Sequence, residues 1–189
     1  ITAKGGPKVL QIREMPSPAL TPDGVRIAVK AAGINFADLQ MRMGMYPEAP
    51  PIPFVPGYEV AGTVAEVGTS AGGGLKVGDR VLAGCRFGGY VDEIVQPASQ
   101  VRAFPAHLSF EEAASIPVNW MTAWLALVDM SRVRAGDRVL VPSAAGGVGI
   151  AAVQVAKAHG AWVAGLVGAE SKKALVKDHP KLGIGLFNL

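Results

Sequence analysis

Between Arg138 and Val167 the sequence alternates in a way that few folds accept. A short apolar run, Arg138-Val139-Leu140-Val141, leads into a turn of small residues from Ser143 to Gly149. An apolar stretch at helical spacing follows from Ile150 to His159, stopped by Gly160, and a second apolar run occupies Trp162 to Val167. Strand, glycine turn, helix, strand is the order of a parallel crossover unit, because two parallel strands need a connection about this long. A further helix from Lys172 to Lys177 and a short strand from Ile184 to Phe187 extend it to βαβαβ, one half of a doubly wound parallel sheet.

The turn itself, Ala144 to Gly149, fits G-x-G-x-x-G with alanine at the first glycine position. Small residues there permit a tight turn and let backbone approach a pyrophosphate, while the helix start offers unpaired N–H donors and the positive end of its dipole. Gly149 then allows close packing of helix on strand. Ala145, Gly146, Gly147, Val148 and, at the end of the second strand, Gly168 are therefore candidate cofactor-binding residues. A glycine turn kept only for packing is the alternative, but the flanking strand and helix supply the context that a cofactor turn needs. The second strand ends Leu166-Val167-Gly168-Ala169 with no carboxylate at its tip to accept from a ribose 2′-hydroxyl; Glu170 lies just beyond it, and Lys172 and Lys173 follow. Such an end tolerates and could pair a 2′-phosphate, which favours NADPH over NADH, unless both lysines are simply solvated.

The N-terminal part has a different rhythm. Short runs rich in Val and Ile, at Val9 to Ile12, Val25 to Val29, Val60 to Val67, Arg80 to Leu82 and Tyr90 to Val95, are separated by Gly, Pro and Asp turn signals and read as strands of a small barrel. Within it, Phe36, Leu39 and Met43 recur at helical spacing and Gly44 closes that segment. Ser109 and Glu112 form a capping-box pattern where helices begin, and a second apolar stretch runs from Val118 to Met130. The expected organisation is a β-rich domain over residues 1–115 and the first half of a dinucleotide-type domain over 116–189.

Composition narrows the function classes. Of the 189 residues half are hydrophobic and only 17% charged, so the 24 glycines and 14 prolines punctuate a packed fold rather than a disordered one. A net charge of +3 without basic clusters interleaved with aromatics gives no nucleic-acid face. The single cysteine, Cys85, leaves no intrachain disulfide and no four-cysteine zinc site. No apolar run reaches the roughly eighteen residues needed to span a bilayer, so a soluble, cytoplasmic protein with no membrane partner is expected.

Together, Ala32 to Asp38, Gly44-Met45-Tyr46-Pro47, Pro56 to Gly62, Gly78-Asp79-Arg80-Val81 and the turn Ala144 to Gly149 resemble the medium-chain dehydrogenase/reductase superfamily. Within it they are most similar to the zinc-independent, zeta-crystallin-like quinone oxidoreductases. The likeness is collinear over almost the whole chain. It implies a GroES-like β-barrel catalytic domain followed by a Rossmann domain, α/β plus β in class, with NADPH in the cleft between them and a homodimer formed through the cofactor domain. The chain starts at Ile1, inside what resembles the family's first strand, and stops near the third Rossmann strand. A fragment of a longer polypeptide, aggregation-prone and weak in NADPH binding when expressed alone, is therefore expected.

Asn35 stands where zinc-dependent relatives have a cysteine and Tyr58 where they have a histidine, and neither is a good zinc ligand. Cys85, His107, His159 and His179 show no ligand spacing, so no metal is expected. Without a Lewis acid, an acceptor that takes hydride readily is favoured, namely a quinone or an α,β-unsaturated ketone. Tyr46 is the candidate proton donor to the reduced oxygen, or else an aromatic lining the cleft mouth. Asn35 and Asp38, three apart on one helical face, are able to point at one ligand; the resemblance implies that Asn35 approaches the nicotinamide ribose or the substrate and that Asp38 orients this shell. Asn35 is equally suited to capping its helix. Thr122 matches the family's threonine near the cofactor phosphates, or bonds its own helix backbone. The leading expectation is an NADPH-dependent quinone or enone reductase. Its rivals are an enoyl reductase domain of a modular polyketide synthase and a non-catalytic protein of the same fold.

Overall fold

The computed structural model describes residues 1–177 and 185–188, and the chain divides into two compact units, Ile1–Pro117 and Val118–Leu189. Unit one is built on strands β1 (Gly24–Ala32), β2 (Glu59–Val67), β3 (Arg80–Gly84), β4 (Glu93–Pro97) and β5 (Val101–Ala103). They pair in the order β4-β1-β2-β3-β5, antiparallel throughout, as a curled half-barrel. Register shifts at Arg26/Ile27 and Val29/Ala31 bend β1 against β2, the local kink that extra residues give a twisted pair. Val25, Ile27, Val60, Val64, Val81 and Ala83 face inward and are at most 2% exposed. Each such Val or Ile contributes about 1.5–3 kcal/mol by leaving water.

Helix α1 (Phe36–Met43) departs from the strand rhythm as its spacing predicts, and Gly44 ends it in the left-handed region at φ 74°. Helix α2 (Phe110–Ala114) opens with the expected capping box: Ser109 N donates to Glu112 Oε2 at 2.7 Å, and Glu112 N to Ser109 Oγ at 3.1 Å.

Two strands expected here are corrected. Val9–Ile12 forms none: Pro7–Val9 is a single 3₁₀ turn, and Leu10 and Ile12 are exposed. An apolar run alone does not make a strand without an edge to pair with, and Pro16 and Pro18 keep this segment from extending into one. The strand expected from Tyr90 starts only at Glu93, because Tyr90 N donates to Pro56 O and Val91 N to Gly89 O in a turn instead of a ladder.

Unit two contains α3 (Pro117–Trp124), which begins at the unit boundary, β6 (Arg138–Val141), α4 (Gly147–Ala158), β7 (Trp162–Val167), α5 (Ser171–Lys177) and β8 (Gly185–Asn188). The three strands are parallel in the order β6-β7-β8. This is the βαβαβ order expected; Ile184 and His179 lie outside the described residues. The apolar stretch Val118–Met130 is not one α-helix, since Leu125–Met130 widens to π-helical turns. Helix α4 starts three residues before its apolar periodicity, at Gly147 rather than Ile150, because Gly146 in extended conformation is its N-cap. Val141, Val153, Ala156, Val163 and Val167 make the core of this unit. No helix of the described residues is long and apolar enough to cross a membrane.

Candidate functional site

In unit one, the residues singled out in the sequence gather where α1 meets the start of β2. The Asp38 carboxylate, 5% exposed, accepts three hydrogen bonds: from Asn35 N at 2.9 Å and Tyr90 Oη at 3.1 Å on Oδ2, and from Gly57 N at 2.9 Å on Oδ1. Asn35 is the N-cap residue of α1, and its Nδ2 donates to Glu59 Oε1 at 2.8 Å. The two side chains therefore do not aim jointly at an external ligand as their spacing suggested. Asp38 fastens α1 to the Gly57 loop, and the Asn35 amide is oriented by Glu59.

Glu59 is 1% exposed, and sequence reasoning missed it as an anchor. The available signal was a carboxylate opening the apolar run Glu59-Val60-Ala61-Gly62. It fits only because Gly33 has no side chain: a Cβ there would lie 2.2 Å from Glu59 Oε1.

Beside this anchor lie two phenols. The Tyr46 and Tyr58 rings meet edge to face with centroids 6.4 Å apart, and Phe87 flanks Tyr58 at 5.4 Å. The Tyr58 hydroxyl reaches Met41 Sδ at 3.9 Å. Burial holds the Tyr58 phenol well above the usual tyrosine range; the neighbouring Tyr46 phenol adds to this, as do the Asp38 and Glu48 carboxylates. Tyr90 is raised by burial and then by the charge and hydrogen bond of Asp38.

Cys85 is buried with its Sγ 3.5 Å from Gly57 O, and burial, with Glu59 and Asp38 nearby, pushes its thiol up to about 12. A thiol raised in the folded state protects stability below its unfolded pKa and loses that contribution as pH rises toward the folded value. Unfolding free energy of the protein is thus expected to fall from about pH 9 upward, by at most about 1.4 kcal/mol per pH unit from this group. Urea titrations at pH 9 and pH 10 check it: Cys85→Ala flattens the slope, and an unchanged slope contradicts the assignment. Among the described residues, no group of three or more His, Cys, Asp or Glu side chains is arranged to hold a metal ion.

In unit two, the glycine turn is drawn tight. Gly146 N donates to Ser143 O at 2.8 Å, and the first bond of α4, Ile150 N to Gly146 O at 2.8 Å, leaves the amides of Gly147, Val148 and Gly149 ahead of the regular ladder. A Cβ on Gly149 would lie 2.2 Å from Ser143 O and 2.8 Å from Ala144 Cα, so close approach of helix and turn depends on glycine there. Ala144, at the first glycine position, is fully buried, and its N donates to Leu166 O at 2.9 Å. Ala145 is partly buried and Val148 is 40% exposed at the helix start.

Asn119, which the sequence did not single out, lies against the turn: a Cβ on Gly147 would be 2.6 Å from its Oδ1. Thr122, exposed on α3, is three residues further and so shares the Asn119 side of that helix. Gly168 at the end of β7 has open space where a Cβ would stand. Beyond it the two lysines differ. Lys173 Nζ is 2.9 Å from Glu170 Oε2, whereas the Lys172 side chain is exposed.

Comparison with known proteins agrees with both units. Residues 21–123 match the alcohol dehydrogenase GroES-like domain. The chain is 42% identical over 159 residues to the synaptic vesicle membrane protein VAT-1 homolog of Mus musculus, covering 83% of this chain and 39% of that protein. It is 48% identical over 139 residues to the polyketide synthase GfsB of Streptomyces halstedii, covering 74% of this chain and 2% of that one. The solved quinone oxidoreductase of Escherichia coli complexed with NADPH superposes with a TM-score of 0.86 at 35% identity, over 99% of this chain and 56% of that one. The chain spans 39% of the length of the Mus musculus VAT-1 homolog and 53% of that of the quinone oxidoreductase of Homo sapiens. With a GroES-like half-barrel, a parallel glycine-turn unit and these likenesses, the chain belongs to the alcohol dehydrogenase GroES-like domain family, within the medium-chain dehydrogenase/reductase superfamily.

Proposed function

We propose that the protein is a zinc-free, NADPH-dependent reductase acting on a quinone or an α,β-unsaturated ketone. The observation that carries this reading is the turn before α4, where a Cβ on Gly149 would lie only 2.2 Å from Ser143 O, so that glycine alone fits, and three backbone amides precede the first helical hydrogen bond. Such a turn fits a pyrophosphate, with Ala145, Gly146, Gly147 and Val148 as its cradle and Thr122 alongside. When bound, the nicotinamide supplies a hydride.

The chain's own residues have the remaining tasks. Tyr46 holds a proton for the oxygen that becomes anionic when the conjugated acceptor is reduced. Asn35, its amide fixed by Glu59, presents a polar wall, and Asp38 keeps α1 and the Gly57 loop in place. Asn35 and Tyr58 give an amide and a phenol where zinc relatives have thiolate and imidazole, and the phenolate form of Tyr58 is disfavoured by its burial. That donor set suits a metal-free acceptor reduction.

The test is steady-state NADPH oxidation by the full-length protein with a panel of quinones, enones and simple aldehydes. Turnover of quinones or enones supports the reading; turnover of aldehydes alone, or of nothing in the panel, overturns it. A second reading, an enoyl reductase domain of a polyketide synthase, is favoured by the 48% identity to GfsB. Reduction of carrier-bound enoyl thioesters in preference to free quinones would decide for it.

The cofactor preference has its own check. With Lys173 already paired to Glu170, Lys172 is the lysine open to a 2′-phosphate. Lys172→Ala is expected to weaken NADPH by about 1.5–3 kcal/mol and leave NADH nearly unchanged, with Lys173→Ala costing less. Fluorescence titration of both cofactors measures it, and equal affinities in the unaltered protein contradict it.

A further inference from the structure

Tyr58 occupies no role in the reading above beyond replacing a metal ligand, yet its surroundings are specific. Phe87 and Tyr46 hold its ring on two sides, and the next residue, Glu59, is buried and tied to Asn35, which fixes the backbone at the start of β2. The hydroxyl meets the Met41 sulfur at 3.9 Å, and the Tyr46 ring adjoins the Tyr58 ring edge to face with centroids 6.4 Å apart. A thioether is a weak acceptor, whereas a phenolate oxygen is a strong one.

We propose that Tyr58 is a positioning residue for Tyr46: once Tyr46 has released its proton, the Tyr58 hydroxyl turns from the Met41 sulfur, donates to the Tyr46 oxygen and stabilises the phenolate. This rests on the reading of Tyr46 as proton donor. In the step, the Tyr46 O–H bond breaks and an O–H bond forms on the anionic oxygen of the acceptor, whose electron pair came with the hydride. The Tyr58 O–H bond stays intact, and water reprotonates Tyr46.

The charges around the pair favour this division of labour. Asp38 on α1 and Glu48 in the loop after it act on Tyr58, and both oppose ionisation there. Arg86, from the loop that carries Phe87, lies 3.7 Å from Glu48, and both side chains are largely exposed, so water screens that pair and buried Asp38 is the stronger influence on Tyr58. Burial and these carboxylates therefore keep Tyr58 in its protonated, donating form.

Two measurements on the full-length protein test the proposal. The ultraviolet tyrosinate titration of the wild type minus that of Tyr46→Phe isolates the Tyr46 ionisation; the same difference taken in a Tyr58→Phe background is expected to move up by roughly half to one pH unit. The alkaline limb of kcat with an enone should move with it, and kcat at neutral pH should fall about three- to tenfold with KM nearly unchanged. If Tyr58→Phe folds poorly, 3-fluorotyrosine at position 58, a stronger donor of the same shape, should move the Tyr46 ionisation downward. An ionisation of Tyr46 that ignores both changes overturns the proposal. An ionisation that moves in an enzyme whose Tyr46→Phe form reduces enones normally would leave the phenol pair standing and remove the proton-donor reading instead.

Discussion

Replacing Gly149 by valine is expected to abolish measurable NADPH binding and to destabilise unit two by about 3 kcal/mol. The added atoms would stand where Ser143 O and Ala144 Cα already are, at 2.2 and 2.8 Å from the first carbon alone, and backbone cannot swing aside as a long side chain can. Either α4 moves off the turn, spoiling the amide cradle, or the turn opens and Ala144 loses its bond to Leu166 O. Gly168→Ala is the informative contrast. With open space at that position, it should leave thermal stability unchanged and lower cofactor affinity only if a ribose approaches the end of β7. Cofactor titration and thermal unfolding of both variants separate packing from binding. A Gly149→Val protein that binds NADPH as tightly as the original contradicts the assignment of the turn.

The second large effect is expected at Tyr46. Tyr46→Phe should lower kcat with enones by about 10²–10³-fold, the usual weight of a positioned general acid, and with quinones by less than about tenfold. The difference follows from product chemistry: the enolate left by an enone needs its proton within the site, whereas a hydroquinone anion is a weaker base and draws a proton from water after release. The edge-to-face packing on Tyr58 is retained by phenylalanine, so folding should be unaffected. Equal turnover of both substrate classes by the variant would reduce Tyr46 to a wall of the pocket.

Much of this could be read from the residues because two signals were local. The order Arg138 strand, small-residue turn and Ile150 helix carries its own geometry, and the strand pairing β6-β7-β8 agrees with it. Likewise Ser109 and Glu112 announce a helix start through bonds that span three residues. What escaped depends on partners far along the chain. Val9–Ile12 has strand composition but no ladder, Glu59 is recognisable as an anchor only once Asn35 and Gly33 are brought against it, and Tyr46 and Tyr58 meet across a proline-rich loop that obeys no spacing rule. The start of α4 at Gly147 was hidden because glycines in a first turn add nothing to apolar periodicity. Asp38 was identified, but its direction was not: helical spacing places Asn35 and Asp38 on one side, and the bonds to Gly57 and Tyr90 then turn the carboxylate inward.

The central claim, metal-free hydride delivery to a conjugated acceptor, is tested most directly by following the label from 4-deuterated NADPH into an enone reduced by the full-length protein in the presence of chelator. The account predicts undiminished turnover and deuterium on the β-carbon of a saturated ketone. Deuterium on the carbonyl carbon of an allylic alcohol, with activity lost to the chelator, would contradict it.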